Sequence, residues 1–368
     1  MTMVTATVAL GEKRLELDEF PIPSIPDTAG LLRVEACGVC GSDVKKYARS
    51  IPPMILGHET VGRIEQVGDV AAAAWGVEPG DRVMLEEYLP CGHCGYCRSG
   101  EYRSCASTEL GQKGTLRYGS TPLHVAPALW GGYSQYQFLH LKSVLHRVPD
   151  GVTPEQATFA LPLSNGIQWA QIDAGVRPGS TVVVQGPGQQ GLACVIAAKA
   201  AGAERIIVTG LAKDGGRLAL ARDLGATDVV DVSERDLAEA VLGVLGGRLA
   251  DVSIDVTGVG APTLNAAVAF VRKRGTVVLA SGSGKGAAPV DIDRIRKQQL
   301  TVLGVRGHSY AAVESALAMI ASGSIPSDRL CTSSFGLSDL DAALETTAGL
   351  RPTGGVHVTV APWHDGRT

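Results

Sequence analysis

The sequence predicts an α/β protein with two lobes, one a doubly wound parallel sheet and the other irregular and rich in β-strands. Its 368 residues exceed the length over which one hydrophobic core usually grows, so two domains are expected. The composition, 45% hydrophobic with 46 glycines and only 5% aromatic residues, is typical of an alanine-, valine- and glycine-rich α/β protein. From residue 181 onward, β-branched runs alternate with alanine-rich amphipathic stretches, which is the pattern of βαβ units.

The parallel sheet is predicted from short apolar runs that read as buried strands. The six runs are 181–185, 205–209, 228–232, 251–256, 275–281 and 300–304. Three stretches between them have helical spacing and end near glycines suited to a helix C-terminus, namely 192–203, 215–226 and 263–275.

The first 160 residues have a different character, with many glycines and prolines around short strand-like pieces. These pieces are 30–40, 60–68, 81–85 and 133–139. After about residue 305 the chain has two helical segments and a last strand-like run, 311–322, 337–347 and 355–361. We expect this tail to fold back onto the first lobe.

Charge and cysteine usage exclude several classes of partner. The formal charge of -4 and the pI near 6.1 leave no basic field for nucleic acid. No apolar stretch is long enough for a membrane span, and the start lacks a signal-peptide pattern, so a cytoplasmic protein without membrane contact is expected. Five of the eight cysteines lie between Cys40 and Cys105, and in a reducing compartment this favours a metal over disulfides.

Four of those cysteines form a pattern typical of a metal site. They stand in CGHCGYCRSGEYRSC as Cys91, Cys94, Cys97 and Cys105. Four thiolates complete a closed tetrahedral zinc site that leaves no position for a substrate, so this site is structural. An iron–sulfur cluster also accepts four cysteines, but the glycine-rich surroundings favour zinc.

A glycine-rich loop predicts dinucleotide binding in the Rossmann manner. GPGQQG directly follows the run 181–185 and opens a helix, which is the context that this fingerprint requires. Gly186 makes the tight turn, Gly188 lets a pyrophosphate approach the backbone, and Gly191 permits close packing of helix on strand. Gln189 and Gln190 lie at the helix N-terminus that faces the phosphates.

Two further segments, CGVCGSDVKKY and ILGHETVG, supply candidate metal ligands in Cys40, His58 and Glu59, which by themselves do not establish a site. With the four-cysteine lobe, the fingerprint, and the segments PGDRV, GGYSQY and LPLSNGI, this order of motifs resembles the zinc-dependent medium-chain dehydrogenases over nearly the whole chain. The resemblance implies a GroES-like catalytic domain built from both chain ends around a Rossmann domain. The expected boundaries are 1–162, 163–303 and 304–368, with the structural zinc lobe at about 88–108.

The resemblance also implies roles for residues around the catalytic zinc. Cys40, His58 and Glu59 are expected to hold the metal with a water as fourth ligand, since Leu161 occupies a position where relatives often carry a Glu or Cys ligand. The competing interpretation of Leu161 is a weakened or empty catalytic site. Ser42 matches the proton-relay hydroxyl of the family.

Two further residues near Cys40 have expected roles. Asp43 is expected to orient a ligand without reacting itself. Lys45 stands where many relatives have a His, and it either relays the proton, contacts the cofactor ribose, or is solvated.

Residues after the second strand of the Rossmann lobe bear on cofactor choice. Gly210 occupies the place where an acid usually binds the ribose hydroxyls of NAD, and Lys213 and Arg217 lie nearby to receive a 2′-phosphate. NADP is therefore favoured, and NAD remains open because Asp214 is close in sequence. Thr257 resembles the segment beneath the nicotinamide.

The sequence thus predicts an oxidoreductase with two zinc ions per chain that transfers a hydride between an alcohol and NAD(P). The apolar members of 108–130 with Leu161 and Trp169 favour a hydrophobic secondary or cyclic alcohol. One alternative is an NADPH-dependent double-bond reductase with a lost or displaced catalytic zinc, and another is a non-enzymatic dinucleotide-binding protein. The family implies a homodimer or homotetramer.

Overall fold

The computed structural model describes residues 2–109, 114–282, 289–351 and 356–364. The chain forms two compact units, one made of Met1–Leu161 with Leu317–Thr368 and the other of Pro162–Ala316. The first unit is therefore built from both ends of the chain, and the second is inserted between them.

The first unit contains two β-sheets. A three-stranded sheet has the order β2-β1-β4, and a larger sheet has the order β15-β16-β3-β5-β6-β8 with β7 also paired to β3. The strands are β1 (Met3–Gly11), β2 (Arg14–Pro21), β3 (Ala29–Gly38), β4 (Met54–Ile55), β5 (Glu59–Val67), β6 (Arg82–Leu85), β7 (Tyr136–His140), β8 (Leu145–Arg147), β15 (Cys331–Phe335) and β16 (His357–Val360). Strand β16 pairs antiparallel with β3, so the C-terminal tail joins this unit.

Short helices connect these strands. They are α1 (Gly41–Tyr47), α2 (Asp69–Trp75), α3 (Gly95–Arg98), α4 (Pro154–Thr158), α12 (Ser327–Leu330) and α13 (Leu340–Thr347). Single 3₁₀ turns occur at Tyr102–Ser104, Ala106–Thr108 and Leu337–Asp339. The chain passes between the units within α5 (Ala160–Gly166) and α11 (Tyr310–Ala321).

The second unit is a six-stranded parallel sheet in the order β11-β10-β9-β12-β13-β14. Its strands are β9 (Thr181–Gln185), β10 (Arg205–Gly210), β11 (Asp228–Asp231), β12 (Ala250–Asp255), β13 (Val271–Leu279) and β14 (Thr301–Gly304). Its helices are α6 (Gln189–Ala200), α7 (Gly215–Asp223), α8 (Leu237–Leu245), α9 (Ala261–Phe270) and α10 (Ile292–Gln298), with a π-helical segment at Ile167–Asp173 and a 3₁₀ turn at Ala212–Asp214. The strand order reverses between β9 and β12, which is the Rossmann topology. The predicted α/β fold is confirmed.

One predicted helix is shorter than its sequence pattern. The helical spacing extends to residue 275, but α9 ends at Phe270 and β13 begins at Val271. Val271 pairs with Ala250 of β12, and a Cβ atom at Gly275 would lie 2.7 Å from the backbone oxygen of Asp251. Pairing with a neighbouring strand therefore overrides the local helical pattern.

Each unit has its own apolar core. In the second unit, the buried side chains Val183 and Ile207 of the sheet pack with Val241 of α8 and with Val268 and Phe270 of α9. In the first, the residues of β1, β3, β16 and α13 form a separate buried cluster. Fully burying side chains of this size contributes roughly 1.5–3 kcal/mol each. Among the described residues, no helix combines the length and the apolarity that crossing a membrane requires.

Candidate metal and cofactor sites

Strand pairing brings the ligands of the predicted catalytic site together. Cys40 precedes α1, His58 immediately precedes β5, and Glu59 is the first residue of β5. Strand β5 pairs antiparallel with β3, so that Gly38 is opposite Glu59. One ligand atom from each of Cys40, His58 and Glu59 lies within 4.8 Å of the other two. A Cβ atom at Gly38 would lie 2.3 Å from Glu59 Oε2, so only glycine leaves room for this carboxylate. Gly38 is a site residue that the sequence motifs did not identify.

The carboxylate of Asp43 lies beside the imidazole of His58. Asp43 is fully buried in α1, and its Oδ1 lies 3.3 Å from His58 Nδ1. Its Oδ2 accepts hydrogen bonds from the Cys40 backbone N–H at 3.2 Å and from the Tyr133 hydroxyl at 3.0 Å. A carboxylate on Nδ1 leaves Nε2 free to serve as a metal ligand. Tyr133 was not identified from the sequence, although it lies in the GGYSQY segment.

The electrostatics of this pair favour the charged forms of both groups. Burial alone would raise the pKa of the Asp43 carboxyl, but His58 and Lys46 outweigh burial and lower it. Burial alone would lower the pKa of His58, but the Asp43 carboxylate raises it well above the ordinary value. An anionic pocket of this kind stabilises a positive charge on or beside the imidazole.

The two lysines of α1 have different environments. Lys45 is exposed, and Lys46 donates hydrogen bonds to Gly119 O at 2.7 Å and to Ser120 Oγ at 2.6 Å. Lys46 therefore anchors α1 to the 119–120 turn, a contact that the sequence did not indicate. Ser42 Oγ lies 3.5 Å from His58 Nε2.

The donor set fits zinc. A thiolate, an imidazole nitrogen and a carboxylate oxygen are the ligands of catalytic zinc sites, which keep one position open for substrate. Leu161 is buried and has no atom that can coordinate a metal. Cys40, His58 and Glu59 thus supply three protein ligands, the usual number for a site of that class.

The four-cysteine lobe has the dimensions of a second zinc site. Cys97 Sγ lies 3.8 Å from Cys91 Sγ and 3.4 Å from Cys94 Sγ, and all four sulfurs including that of Cys105 lie within 4.8 Å of one another. Four sulfurs around one zinc at Zn–S distances of about 2.3 Å are separated by about 3.8 Å. Hydrogen bonds from the backbone at His93 and from the Cys94 N–H, which lies 3.4 Å from Cys91 Sγ, lower the pKa of Cys91 to about 6 and so favour the thiolate.

The glycine loop has the backbone geometry of a dinucleotide fingerprint. Gly186 has φ +102°, a conformation that favours glycine. A Cβ atom at Gly191 would lie 1.9 Å from the Gly186 carbonyl oxygen, so helix α6 can approach the loop only with glycine there. Gly188 caps α6, and Gln189 and Gln190 follow in its first turn. Buried polar atoms of both glutamine side chains lack a hydrogen-bond partner within the described part of the chain.

The position at the end of β10 that bears on cofactor choice is Gly210, which has no acidic side chain. A Cβ atom at Gly210 would lie 2.9 Å from Pro187 Cγ in the glycine loop, so a larger residue would disturb that loop. Lys213 lies in the following 3₁₀ turn and Arg217 in α7. Asp214 accepts a hydrogen bond from the Leu211 backbone N–H at 3.0 Å and is thereby engaged in the turn itself.

Thr257 follows β12. Its backbone N–H and its hydroxyl donate to Asp255 Oδ1 at 2.9 and 2.7 Å. Thr257, which is predicted to contact the cofactor, therefore lies in a turn that the buried carboxylate of Asp255 stabilises. Asp255 is a further residue that the sequence motifs did not single out.

The chain combines a Rossmann sheet with a β-rich unit that carries two clusters of zinc-type ligands. This combination defines a metal-dependent dehydrogenase. Comparison with known proteins agrees: residues 26–150 match the alcohol dehydrogenase GroES-like domain, and residues 191–322 match the zinc-binding dehydrogenase domain. The chain belongs to the zinc-dependent medium-chain dehydrogenases and is an oxidoreductase of that family.

Curated relatives cover nearly the full length. A probable alcohol dehydrogenase of Mycobacterium tuberculosis is 40% identical over 95% of both chains. An erythritol/L-threitol dehydrogenase of Mycolicibacterium smegmatis is 32% identical over 93% of this chain and 94% of its own. A sorbitol dehydrogenase of Bombyx mori is 31% identical over 94% of this chain and 95% of its own.

Solved structures share the architecture. A candidate zinc-binding dehydrogenase of Sinorhizobium meliloti, bound to NADP, superposes with a TM-score of 0.83 at 26% identity and covers 98% of this chain and 100% of its own. An alcohol dehydrogenase of Thermus has a TM-score of 0.82 at 25% identity, covering 97% of this chain and 99% of its own.

Proposed function

We propose that this protein interconverts an alcohol and a carbonyl compound by hydride transfer with NAD(P), at a zinc ion held by Cys40, His58 and Glu59. The convergence of these three side chains, with His58 oriented by the buried Asp43, is the observation that carries the proposal. The names of the relatives, which describe alcohol and polyol dehydrogenases, agree with it.

The residues around this site would have the following roles in the reaction. A zinc ion bound here supplies Lewis-acid chemistry that eases deprotonation of an alcohol. Asp43 holds His58 in the orientation that presents Nε2. Ser42 is exposed and its hydroxyl lies 3.5 Å from His58 Nε2, so it can pass the proton of the alcohol toward solvent. Lys45 is the weaker relay candidate, because none of the described contacts ties its side chain to the ligands.

A second zinc is proposed at Cys91, Cys94, Cys97 and Cys105, where it would be structural. Four thiolates leave no open position. The sulfur separations of 3.4 and 3.8 Å support this assignment. Two zinc ions per chain are therefore expected.

NADP is the proposed cofactor. Gly210 supplies no carboxylate to repel a 2′-phosphate, and Lys213 and Arg217 follow in the next two turns. Replacing Lys213 by Ala should lower kcat/KM for NADP at least ten-fold with little change for NAD, because one charge-assisted phosphate contact is lost. Lys199→Ala, an exposed lysine of α6, is the matched control. An equal loss with both cofactors in Lys213→Ala would contradict the assignment.

The proposed substrate is a hydrophobic secondary or cyclic alcohol. Leu161 and Trp169 are buried apolar residues, and the segment 114–130 contributes the buried Leu129 and Trp130 to the first unit. Part of the predicted pocket segment, 110–113, lies outside the described residues. Faster turnover of sorbitol or erythritol than of cyclohexanol in a panel assay would overturn this choice and favour the polyol activity named for two relatives.

Zinc content and activity together test the central proposal. Metal analysis of the purified protein should give two zinc ions per chain, and Cys40→Ser should retain one and lose at least a hundred-fold in alcohol oxidation. Cys194→Ala, a buried cysteine in α6, should retain both ions and full activity. One zinc in the wild type, with NADPH-dependent reduction of an activated alkene, would instead support the double-bond reductase.

A homodimer or homotetramer is proposed as the assembly state, following the family. Light scattering coupled to size-exclusion chromatography measures it directly, and a 38.2 kDa species would contradict it.

A further inference from the structure

A buried carboxylate lies at the topological switch point of the Rossmann sheet. Asp255 is the last residue of β12, has no solvent exposure, and is in register with Gln185, the last residue of β9. Strands β9 and β12 are the neighbours between which the strand order reverses. Dinucleotides bind across the carboxyl ends of the strands at such a point, with their two halves on opposite sides of it.

Neutral hydrogen-bond donors surround this carboxylate. Asp255 Oδ1 accepts from the backbone N–H and the hydroxyl of Thr257. The Thr263 hydroxyl, in the first turn of α9, lies 2.5 Å from Asp255 Oδ2 and 2.7 Å from the Gly260 carbonyl oxygen, so its one proton is shared between two acceptors. None of the ion pairs among the described residues includes Asp255. The N-terminus of α9 supplies a partial positive charge, which compensates a full negative charge incompletely.

The turn held by Asp255 packs against the glycine loop. A Cβ atom at Gly186 would lie 3.2 Å from Thr257 Cγ2, and one at Gly191 would lie 3.3 Å from Val256 Cγ2. The residues that follow Asp255 therefore touch the loop proposed to bind the cofactor. Asp255 directly precedes Val256, one of the two contacting residues, and lies on the β12 side of the switch point.

Only one part of a nicotinamide cofactor changes charge during the reaction. The pyridinium ring of NAD(P)⁺ carries one positive charge, which is lost on reduction, whereas the phosphates are unchanged. A buried negative charge without a cationic partner interacts more favourably with a nearby cation than with a neutral ring. The strength of this preference for the oxidised cofactor depends on the charge of the buried carboxylate and not on the shape of its side chain.

We propose that Asp255 is a selectivity-determining residue that makes the protein bind oxidised NAD(P)⁺ more tightly relative to NAD(P)H. The inference rests on the proposed function, since it assumes that a nicotinamide cofactor binds at the glycine loop. By linkage, the same preference shifts the redox equilibrium of the bound cofactor toward the oxidised form and so favours carbonyl reduction on the enzyme.

Direct binding measurements test the proposal without relying on turnover. Dissociation constants of NADP⁺ and NADPH are measured on the zinc-loaded full-length protein by calorimetry and by NADPH fluorescence. Asp255→Asn keeps the size of the side chain and an acceptor for Thr257 while removing the charge. We expect it to raise the ratio of Kd for NADP⁺ to Kd for NADPH by about ten-fold, because it removes an attraction that the charged pyridinium ring experiences and the neutral reduced ring does not.

The chain offers a matched control on the same strand. Asp251 lies at the opposite, amino end of β12, where it accepts hydrogen bonds from the Thr181 backbone N–H and from Arg272 Nε. Asp251→Asn removes the same charge from the same strand and should leave the ratio within two-fold of the wild type. Thr263→Val keeps the Asp255 charge but removes one hydroxyl, and it should affect both dissociation constants alike.

Each outcome decides the proposal. An Asp255→Asn ratio unchanged from the wild type, or an equal weakening of both cofactors, would show that Asp255 only positions the turn and would overturn the inference. Should Asp255→Asn fail to fold, Asp255→Ser supplies a second neutral variant whose hydroxyl can accept from Thr257. A wild-type protein that binds neither cofactor would refute the proposed function itself, an outcome distinct from an unchanged ratio.

Discussion

A buried histidine of the first unit makes the stability of the protein depend on pH in a calculable way. His357 in β16 is fully buried, and its Nε2 lies 2.7 Å from Thr158 Oγ1. The Thr158 hydroxyl also lies 2.7 Å from the Glu155 carbonyl oxygen, and with its proton donated there the Nε2–H of the imidazole donates to Thr158. Nδ1 is then a buried acceptor with no hydrogen-bond partner among the described residues.

The magnitude follows from the pKa of this imidazole. Burial lowers the pKa of His357 to about 3, whereas in the unfolded chain it returns to about 6.5. Between these values only the unfolded state binds the proton, so the free energy of unfolding falls as the pH is lowered. Each pH unit costs about 1.4 kcal/mol, and the loss from this residue alone reaches about 2 kcal/mol at pH 5.

The assay compares the wild type with His357→Gln, whose side-chain amide can still donate to Thr158 but does not titrate. Urea unfolding followed by fluorescence is measured from pH 8 to pH 5. The wild type should lose about 2 kcal/mol more than the variant over this range. Identical pH dependence of the two proteins would refute the assignment of a neutral buried imidazole.

Further predictions concern the two candidate sites. Asp43→Asn should weaken zinc binding at the catalytic site by 10- to 100-fold, because it removes the carboxylate that orients His58. Chelator competition measures the zinc affinity. An unchanged affinity would show that Asp43 does not support the metal site. Gly191→Ala places a Cβ atom 1.9 Å from the Gly186 carbonyl oxygen and should destabilise the protein by roughly 1–3 kcal/mol in thermal unfolding. The Cβ atom added in Gly188→Ala meets no atom within 4 Å, so this variant should keep the melting temperature of the wild type while binding the cofactor at least ten-fold more weakly. Equal melting temperatures for the Gly191→Ala and Gly188→Ala variants would contradict the packing argument.

The strands of the second unit were predictable because each is a short apolar run, and the central strands β9, β10 and β12 are buried on both faces. The run 181–185 coincides with β9, and the other five lie within a few residues of β10 to β14. The segment 271–275 was not predictable, because its local pattern is helical and its strand conformation depends on pairing with β12. A single segment contains no information about which neighbour it will meet.

The metal-ligand candidates were also visible in the sequence, for a different reason in each case. Cys91, Cys94 and Cys97 are close in the chain, so their spacing alone predicts a shared metal. Cys40 and Glu59 are separated by helix α1, strand β4 and the loops around them, and only the family resemblance connected them. The structure adds the reason why they meet, which is the pairing of β3 with β5.

The sequence by itself determined the fold class, the glycine loop and the four-cysteine cluster, because short-range spacing and periodicity encode these features, whereas Cys40, His58 and Glu59 were connected through the family resemblance. The tertiary structure alone decided which groups surround them: Tyr133 on Asp43, Lys46 on the 119–120 turn, and Asp255 beneath the turn at Thr257. These contacts join residues from separate elements, or depend on how deeply a carboxylate is buried. Their energies depend on distance and desolvation, which a linear sequence does not specify.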